Sequence, residues 1–276
     1  MTADLIKRMC TDETASLPSM AVVAAHPDDE VIGAGGRFAG LRGCRFIHVT
    51  DGAPRSMHDA LAAGFTIREE YAKARRCELL SALGLAGIGP AQCLEMGIAD
   101  QEASLHLLKL SYDLADLFSG MRPEMVLTHP YEGGHPDHDE TAFAVYTACR
   151  LLEKAGITPP GLVEFTSYHS DGRGGMRTFE FIPFEGCSVT TVVLSESERR
   201  LKQRMLACFG LQRRVLDAFP VGIERFRPAP CYDFTLPPHE GRLYYEQFDW
   251  GVAGERWRGL VRSALEILEV EETVWH

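Results

Sequence analysis

Residues 20–30 read Met-Ala-Val-Val-Ala-Ala-His-Pro-Asp-Asp-Glu, and this stretch does the most to decide the fold. Its first half is a short apolar run, typical of a strand that is buried on both faces of a sheet. Pro27 ends the run, and Asp28, Asp29 and Glu30 follow where a helix would begin. Acidic residues are favoured at helix N-termini. The stretch therefore predicts a strand, a tight turn and a helix.

A second stretch, more than a hundred residues later, repeats this arrangement. Residues 125–128 form the apolar run Met-Val-Leu-Thr, and residues 134–139 read Gly-His-Pro-Asp-His-Asp. Pro136 suits the first position of a helix, and a helical turn would place His135 and His138 on one face. Because the carboxyl ends of parallel strands meet at one edge of a sheet, we expect the His and Asp residues of both stretches to meet there.

Strand-like and helix-like segments alternate along most of the chain. The predicted strands are 20–25, 45–50, 125–128, 161–166 and 190–194, and the predicted helices are 66–83, 101–118, 141–155 and 196–219. Gly84 is expected to end the first of these helices. The alternation predicts an α/β fold whose mostly parallel sheet carries helices on both faces. Residues 169–183 predict a loop or hairpin, and residues 226–251, rich in proline and aromatics, predict an irregular but ordered C-terminal extension.

Composition narrows the class of protein. The 276 residues suit one large α/β domain, and the formal net charge of -11 argues against a nucleic-acid-binding surface. No apolar run approaches the ~20 residues of a membrane span, and the N-terminus lacks the pattern of a signal peptide. The eight cysteines are scattered without a C-x-x-C pair, which favours reduced thiols. These features predict a cytoplasmic protein without a transmembrane segment.

The two motifs offer the ligands of a divalent metal. Catalytic zinc sites commonly use three protein ligands, and two histidines with one carboxylate are such a set, leaving a second carboxylate as a base. Taken alone, Asp28 and Asp29 are equally well explained as helix caps. A dinucleotide site is disfavoured, because Gly33-Ala34-Gly35-Gly36 comes too late and carboxylates at that helix start would repel a pyrophosphate.

His26-Pro27-Asp28-Asp29-Glu30 together with His135-Pro136-Asp137-His138 resembles the LmbE-like, or PIG-L, family of zinc-dependent N-deacetylases. Thr50-Asp51-Gly52 and Arg68-Glu69-Glu70 also fit, and the resemblance covers about residues 19–155 well. It implies a Rossmann-like fold in a single deacetylase domain spanning residues 1–276. Within that domain, residues 19–155 would be the motif-bearing core, and residues 156–276 would complete the core and form a substrate-side extension.

The resemblance also implies a division of roles in the site. His26, Asp29 and His138 would bind one Zn²⁺ per chain, with Fe²⁺ or another divalent ion as the alternative. Asp28 would be the general base on the zinc-bound water. Cationic His135 would stabilise the oxyanion, held and kept protonated by Asp137. Arg68 would contact substrate hydroxyls, although a solvated helix charge explains it equally well.

Three groups of residues keep open roles at this stage. His129 and Glu132 lie at the rim of the second motif but are not assigned to the metal. Asp51 is expected to cap a turn, and Glu30 to cap the helix or support a ligand. A set of aromatics near the C-terminus either stacks on a sugar or packs in the core: Tyr232, Tyr244, Tyr245 and Trp250.

The expected activity is hydrolysis of the N-acetyl group of an N-acetylglucosamine-type amino sugar in a glycoside, glycolipid or glycan. One alternative is an amidase for a larger N-acyl group or a thiol-conjugate glycoside. Another is a non-catalytic, zinc-dependent glycan-binding protein. The expected partner is a small-molecule or glycan substrate, and the sequence leaves open whether the chain forms a homo-oligomer.

Overall fold

The computed structural model describes residues 2–10, 18–41 and 43–270. Its strands are β1 (Met20–Ala24), β2 (Arg45–Thr50), β3 (Cys93–Ile98), β4 (Met125–Thr128), β5 (Gly161–Phe165), β6 (Tyr168–Ser170), β7 (Met176–Thr178), β8 (Thr190–Val193) and β9 (Ile223–Pro228). Seven of them form one sheet in the order β3-β2-β1-β4-β5-β9-β8. In this order, each strand of β3-β2-β1-β4-β5 pairs in parallel with its neighbour. β9 pairs antiparallel with β5, and β8 pairs antiparallel with β9. The predicted mostly parallel sheet is therefore confirmed.

The helices connect the strands and cover both faces of the sheet. They are α1 (Thr2–Cys10), α2 (Asp29–Ala34), α3 (His58–Ala62), α4 (Arg68–Leu85), α5 (Leu107–Met121), α6 (Pro136–Lys154), α7 (Glu196–Leu206), α8 (Arg213–Leu216) and α9 (Gly254–Leu268). Val22 of β1 belongs to a core shared with α2, α4 and α7. Its neighbours Ala21 and Val23 belong to a second core with α5 and α6. Successive strand residues point to opposite faces, so β1 is buried by helices on both sides.

Two helices end differently from the sequence prediction. Gly84 does not end α4; Gly87 does, with φ of 80° and with Ile88 N–H donating to the Leu83 carbonyl at 3.1 Å. This is the left-handed helix terminus that glycine favours. The helix predicted over 196–219 breaks after Leu206, and a 3₁₀ turn at Gly210–Gln212 precedes the short α8. Glycine weakens helices, which explains the break.

The C-terminal third is more regular than expected. The predicted hairpin within 169–183 is present as β6 and β7, which pair antiparallel. Helix α9 was not predicted; its Trp257 and Val261 pack in a third core with Tyr131 and Phe143. The stretch after β9 remains largely irregular, as expected, with a short 3₁₀ turn at Tyr244–Gln247. Within the described ranges, no helix has the length and apolar character that crossing a membrane would need.

Candidate active site

The ends of the central parallel strands carry a cluster of ionisable side chains. His26 follows β1, Asp100 follows β3 and His129 follows β4, while His135 and His138 lie at the start of α6. All five are largely buried, with His129 fully so. The two sequence motifs therefore meet at one edge of the sheet, where α/β folds build their sites.

The carboxylate of Asp29 faces one nitrogen of each of two histidines. Its Oδ2 lies 3.1 Å from Nδ1 of His26, and its Oδ1 lies 3.2 Å from Nε2 of His138. Nε2 of His138 is buried, and the Asp29 carboxylate is its one close polar neighbour among the residues described. Buried imidazole nitrogens beside a carboxylate are the donor types that a divalent metal binds. Asp29 thus lies between the two predicted histidine ligands.

His129 joins this cluster, although it was not among the predicted metal ligands. Its ring stacks on His138 with centroids 4.0 Å apart, and its Nε2 lies 3.4 Å from Oδ2 of Asp29. The Ala25 N–H donates to the same Nε2 at 3.0 Å. Potential ligand atoms of Asp29, His129 and His138 lie within 4.8 Å of one another, as do those of His26, His135 and His138. His129 therefore packs against the predicted ligand His138 and adds an imidazole to the residues that could bind a metal.

Asp137 takes a different position from the one that the resemblance implied. Its carboxylate lies 4.0 Å from Nδ1 of His135, beyond hydrogen-bond distance. Instead Oδ2 lies 3.0 Å from Nε2 of His26 and accepts from the Gln101 N–H at 2.7 Å, while Oδ1 accepts from Ala103 N–H. Burial alone would raise the pKa of Asp137, but the His26 hydrogen bond and the nearby His135 outweigh it and lower that pKa. The carboxylate of Asp137 therefore contacts the imidazole of His26 rather than that of His135.

The hydrogen bonding at His135 favours a neutral imidazole, whereas the resemblance implied a cationic one. His135 is the N-cap of α6, and its Nδ1 accepts the Asp137 N–H at 3.1 Å, which a protonated Nδ1 could not do. Burial and the neighbouring His26 lower the pKa of His135 to about 3. The capping hydrogen bond therefore selects the tautomer that carries its proton on Nε2.

Asp28 occupies an unusual turn between β1 and α2. Its φ is 143°, a conformation that residues with a side chain rarely adopt. Its N–H donates to Glu30 at 3.2 Å, and its carboxylate accepts from Nη2 of Arg75 at 3.1 Å. Burial raises the pKa of Asp28 to about 8, with Arg75 opposing the shift and Asp29 reinforcing it. The Asp28 carboxylate is thus held by Arg75, whereas the Asp29 carboxylate contacts imidazoles, and the raised pKa lets Asp28 exchange a proton near neutral pH.

Other positions support the motif turns. The Glu30 carboxylate accepts hydrogen bonds from the Asp28 N–H and from Nε2 of His48, the latter at 3.1 Å. It therefore helps to hold the turn that carries the first motif. Asp51 caps a turn, as expected, by accepting the Ala53 N–H at 3.0 Å.

A pocket opens above this cluster. Its lining combines the motif residues with acidic, cationic and apolar side chains: His26, Asp28, Asp29, Ile32, Asp59, Arg75, Asp100, Gln101, His135, His138, Tyr168, Gln212, Val215, Phe219 and Trp250. Arg68 is absent from this lining; it binds Asp51 at 2.8 Å and the Ala53 carbonyl at 2.6 Å. The structure therefore shows Arg68 bracing the turn after β2, and its contact with substrate stays a prediction.

Two pocket residues, Asp100 and Arg75, were not predicted from the sequence. Asp100 follows β3, an edge strand whose Cys-Leu-Glu-Met-Gly-Ile sequence lacks the apolar run that marked the other strands. Its Oδ1 lies 3.2 Å from Nε2 of His26 and 4.0 Å from Nε2 of His135. Recognising β3 would have revealed an aspartate at a strand end. The sequence carried no comparable signal for Arg75.

The C-terminal aromatics divide between the pocket and the core. Trp250 lines the pocket, with its ring 4.6 Å from that of His135 and stacked on Phe248 at 4.4 Å. Tyr245 is buried, and the Tyr232 hydroxyl accepts from Arg227 at 2.9 Å. Of the expected sugar-stacking candidates, Trp250 is therefore the one that the structure places in the pocket wall.

Several solved structures share this fold. The A40926 pseudoaglycone deacetylase Dbv21 is 20% identical, with a TM-score of 0.58 over 76% of this chain and 96% of that chain. A deacetylase–bog complex from teicoplanin biosynthesis is 15% identical, with a TM-score of 0.58 over 76% and 96%. GalB, the 4-carboxy-2-hydroxymuconate hydratase from Pseudomonas putida KT2440, is 20% identical, with a TM-score of 0.50 over 76% and 96%. At these identities the likeness shows the fold alone.

The sequence comparisons concern the motif-bearing core. None of the curated proteins matches the chain. Residues 21–149 match the family model described as PIG-L: GlcNAc-PI de-N-acetylase, and this range includes both motifs. The segment that carries both motifs, residues 21–149, is therefore a match to the PIG-L, or LmbE-like, family.

Proposed function

We propose that this protein is a metal-dependent hydrolase that removes the N-acetyl group of an N-acetylglucosamine-type amino sugar. The observation that carries the proposal is that Asp28 and His135 line one pocket together with His26, Asp29 and His138. Because the fold also serves a hydratase, fold alone does not decide the reaction, and the residues of the site must decide it.

The metal ligands in this proposal are His26, Asp29 and His138. The buried imidazoles of His26 and His138, with the Asp29 carboxylate between them, supply a nitrogen and oxygen donor set that suits Zn²⁺, with Fe²⁺ as an alternative. Asp137 would orient His26 through its Nε2, as carboxylates commonly do for metal-binding histidines. When bound, the ion would supply Lewis acidity that acidifies water and polarises the amide carbonyl.

Asp28 and His135 would carry out the proton and charge transfers. Asp28 would take a proton from the attacking water and deliver it to the amide nitrogen as the C–N bond breaks, giving acetate and a free amine. His135 would donate its Nε2 proton in a hydrogen bond to the oxyanion of the tetrahedral intermediate. A neutral imidazole can fill this role, because the capping hydrogen bond at Nδ1 leaves Nε2–H free to donate.

The pocket wall fits an amphipathic substrate. Asp59 and Asp100 provide acceptors for hydroxyl groups on one part of the lining, and Trp250 and Phe219 provide apolar surface on another. Sugars present both hydroxyl edges and apolar faces, so they match this mixture. The family model's description and the names of the similar deacetylases support the same substrate class.

The test is a panel of N-acetylated amino sugars and their glycosides, scored for free amine and for acetate. The protein would be assayed after reconstitution with Zn²⁺ or Fe²⁺ and again after chelation. We expect equal amounts of amine and acetate from at least one glycoside, lost on chelation and restored by metal. Sugar binding without either product would support a glycan-binding protein, and release of larger acids alone would support a different amidase. Either result would contradict the proposal.

A further inference from the structure

Arg75 is a buried cation whose donors converge on the turn that carries Asp28. It projects from α4, is 3% exposed and lines the pocket. Its Nη2 donates to the Pro27 carbonyl at 2.9 Å and to Oδ2 of Asp28 at 3.1 Å. Its Nη1 donates to the Gly52 carbonyl at 3.3 Å. One guanidinium therefore ties together the turns that follow β1 and β2.

The turn after β2 is shaped to admit this guanidinium. Gly52 has φ of 66°, and a Cβ there would lie 2.9 Å from Cζ of Arg75 and 3.0 Å from Cδ of Pro27. Real Cβ atoms do not approach so closely, so the glycine makes room for Arg75 to reach both turns. The absence of a side chain at Gly52 thus lets the planar guanidinium of Arg75 donate to two backbone carbonyls, those of Pro27 and Gly52.

Asp28 needs such support because of its backbone. A non-glycine residue at φ of 143° is strained by about 1–3 kcal/mol unless its surroundings hold it there. Glu30 accepts a hydrogen bond from the N–H of Asp28. Arg75 donates to the carboxylate of Asp28 and to the carbonyl of Pro27. Arginine suits this task, because several donors in a fixed geometry can bind several acceptors at once.

We propose that Arg75 is a positioning residue for the deacetylation, which holds the Asp28 carboxylate aimed into the pocket. This inference rests on the proposed function for the role of Asp28 as base. It assigns to Arg75 no contact with substrate and no contact with metal. Misplacing a reacting group by about 1 Å can cost roughly 10²-fold in rate. Loss of Arg75 should therefore lower kcat and leave KM near its wild-type value.

The experiment compares Arg75→Gln with Arg76→Gln. Arg76 is the matched control: it lies on the same helix, donates to the Cys93 carbonyl at 2.8 Å and pairs with Glu95 at 3.2 Å, away from the pocket. We expect R75Q to bind metal as the wild type does, to lose about 10²-fold in kcat and to recover part of it with added guanidinium. R76Q should keep wild-type kcat. A rise in KM with unchanged kcat, or equal activity in R75Q and R76Q, would overturn the proposal.

Two further measurements keep the inference testable if R75Q is unstable or the reaction is different. Arg75→Lys retains the charge with fewer donors, and we expect intermediate kcat from it; wild-type kcat would count against the proposal. A crystal structure of R75Q or R75K tests the positioning without turnover, because Asp28 should leave its positive-φ conformation. An unchanged Asp28 would overturn the inference. Wild-type protein that releases no acetate would instead defeat the proposed function.

Discussion

Nε2 of His26 lies 3.0 Å from Oδ2 of Asp137, although 111 residues separate them in the chain. This contact joins the two motifs directly. It also leaves Nδ1 of His26 facing the Asp29 carboxylate. A carboxylate on the outer nitrogen of a metal-binding histidine fixes the ring and increases its basicity. In the proposed site, the second motif would therefore supply one metal ligand, His138, and the support for another, His26.

Asp137→Asn is expected to weaken metal binding by about 10–100-fold, since an amide supports the His26 imidazole less well than a carboxylate. Metal affinity would be measured by competition with a chelator of known affinity. Glu102→Gln is the matched control, because Glu102 lies in the adjacent loop and pairs with Arg55 at 2.6 Å. Equal affinity in D137N and wild type would show that the contact does not support a ligand.

Trp250→Ala is expected to lower kcat/KM by roughly 2–10-fold, the effect of losing one aromatic contact of about 0.5–1.5 kcal/mol. Trp250 packs against His135 and forms part of the pocket wall. Trp250→Phe should retain most of the activity. Phe184→Ala removes a 42% exposed aromatic that does not line the pocket, and it should match the wild type. An unchanged kcat/KM in W250A would remove Trp250 from the substrate site.

Much of the fold could be predicted because its central strands are buried on both faces. β1 and β4 are nearly continuous apolar runs, β2 is buried after its first residue, and each of the three is followed by a turn with chemically distinctive residues. β3 and β9 escaped notice for different reasons. β3 is an edge strand with alternating exposure, and β9 carries Glu224 and Arg227, whose charges are buried only because partners from other segments reach them.

The site was predicted in part for the same reason. His26, Asp29 and His138 carry their signal locally, in short motifs after strands. Arg75 enters the site because α4 packs over the turn of β1, and Trp250 enters because the C-terminal segment folds back onto His135. Neither residue lies in a local sequence motif that would mark it as part of the site. Sequence proximity pointed to His135 as the neighbour of the Asp137 carboxylate, whereas the fold places that carboxylate closer to His26.

Lys202→Met is expected to cost about 3–5 kcal/mol of unfolding free energy, since it leaves a carboxylate buried and unpaired. Lys202 is fully buried, and its Nζ donates to Glu224 at 2.8 Å and to the Ile32 carbonyl at 2.7 Å. Adding Glu224→Gln in the same chain removes the uncompensated charge and should recover most of the loss. Chemical unfolding of both variants checks this. A double variant no more stable than K202M would contradict the account.

The burial of Glu132 predicts that the free energy of unfolding depends on pH. Burial raises the pKa of Glu132 from the ordinary 4.5 to about 8, against the opposing effect of Arg227. The folded protein then keeps a proton that the unfolded chain releases above pH 4.5, so stability falls as pH rises from about 4.5 to about 8. Glu132→Gln should flatten this decline in chemical unfolding measured across that range. Glu69→Gln, whose carboxylate is 75% exposed, is the control. The same decline in E132Q and wild type would refute the prediction.

Metal content and acetate release, measured on the same samples of wild type, Asp28→Asn, His135→Ala and His138→Ala, test the central claim most directly. We expect D28N and H135A to retain one metal per chain while kcat falls by about 10²–10⁴-fold, and H138A to lose metal and activity together. Full metal occupancy in H138A, or wild-type turnover in D28N, would contradict the division of the two motifs into ligands and catalytic groups.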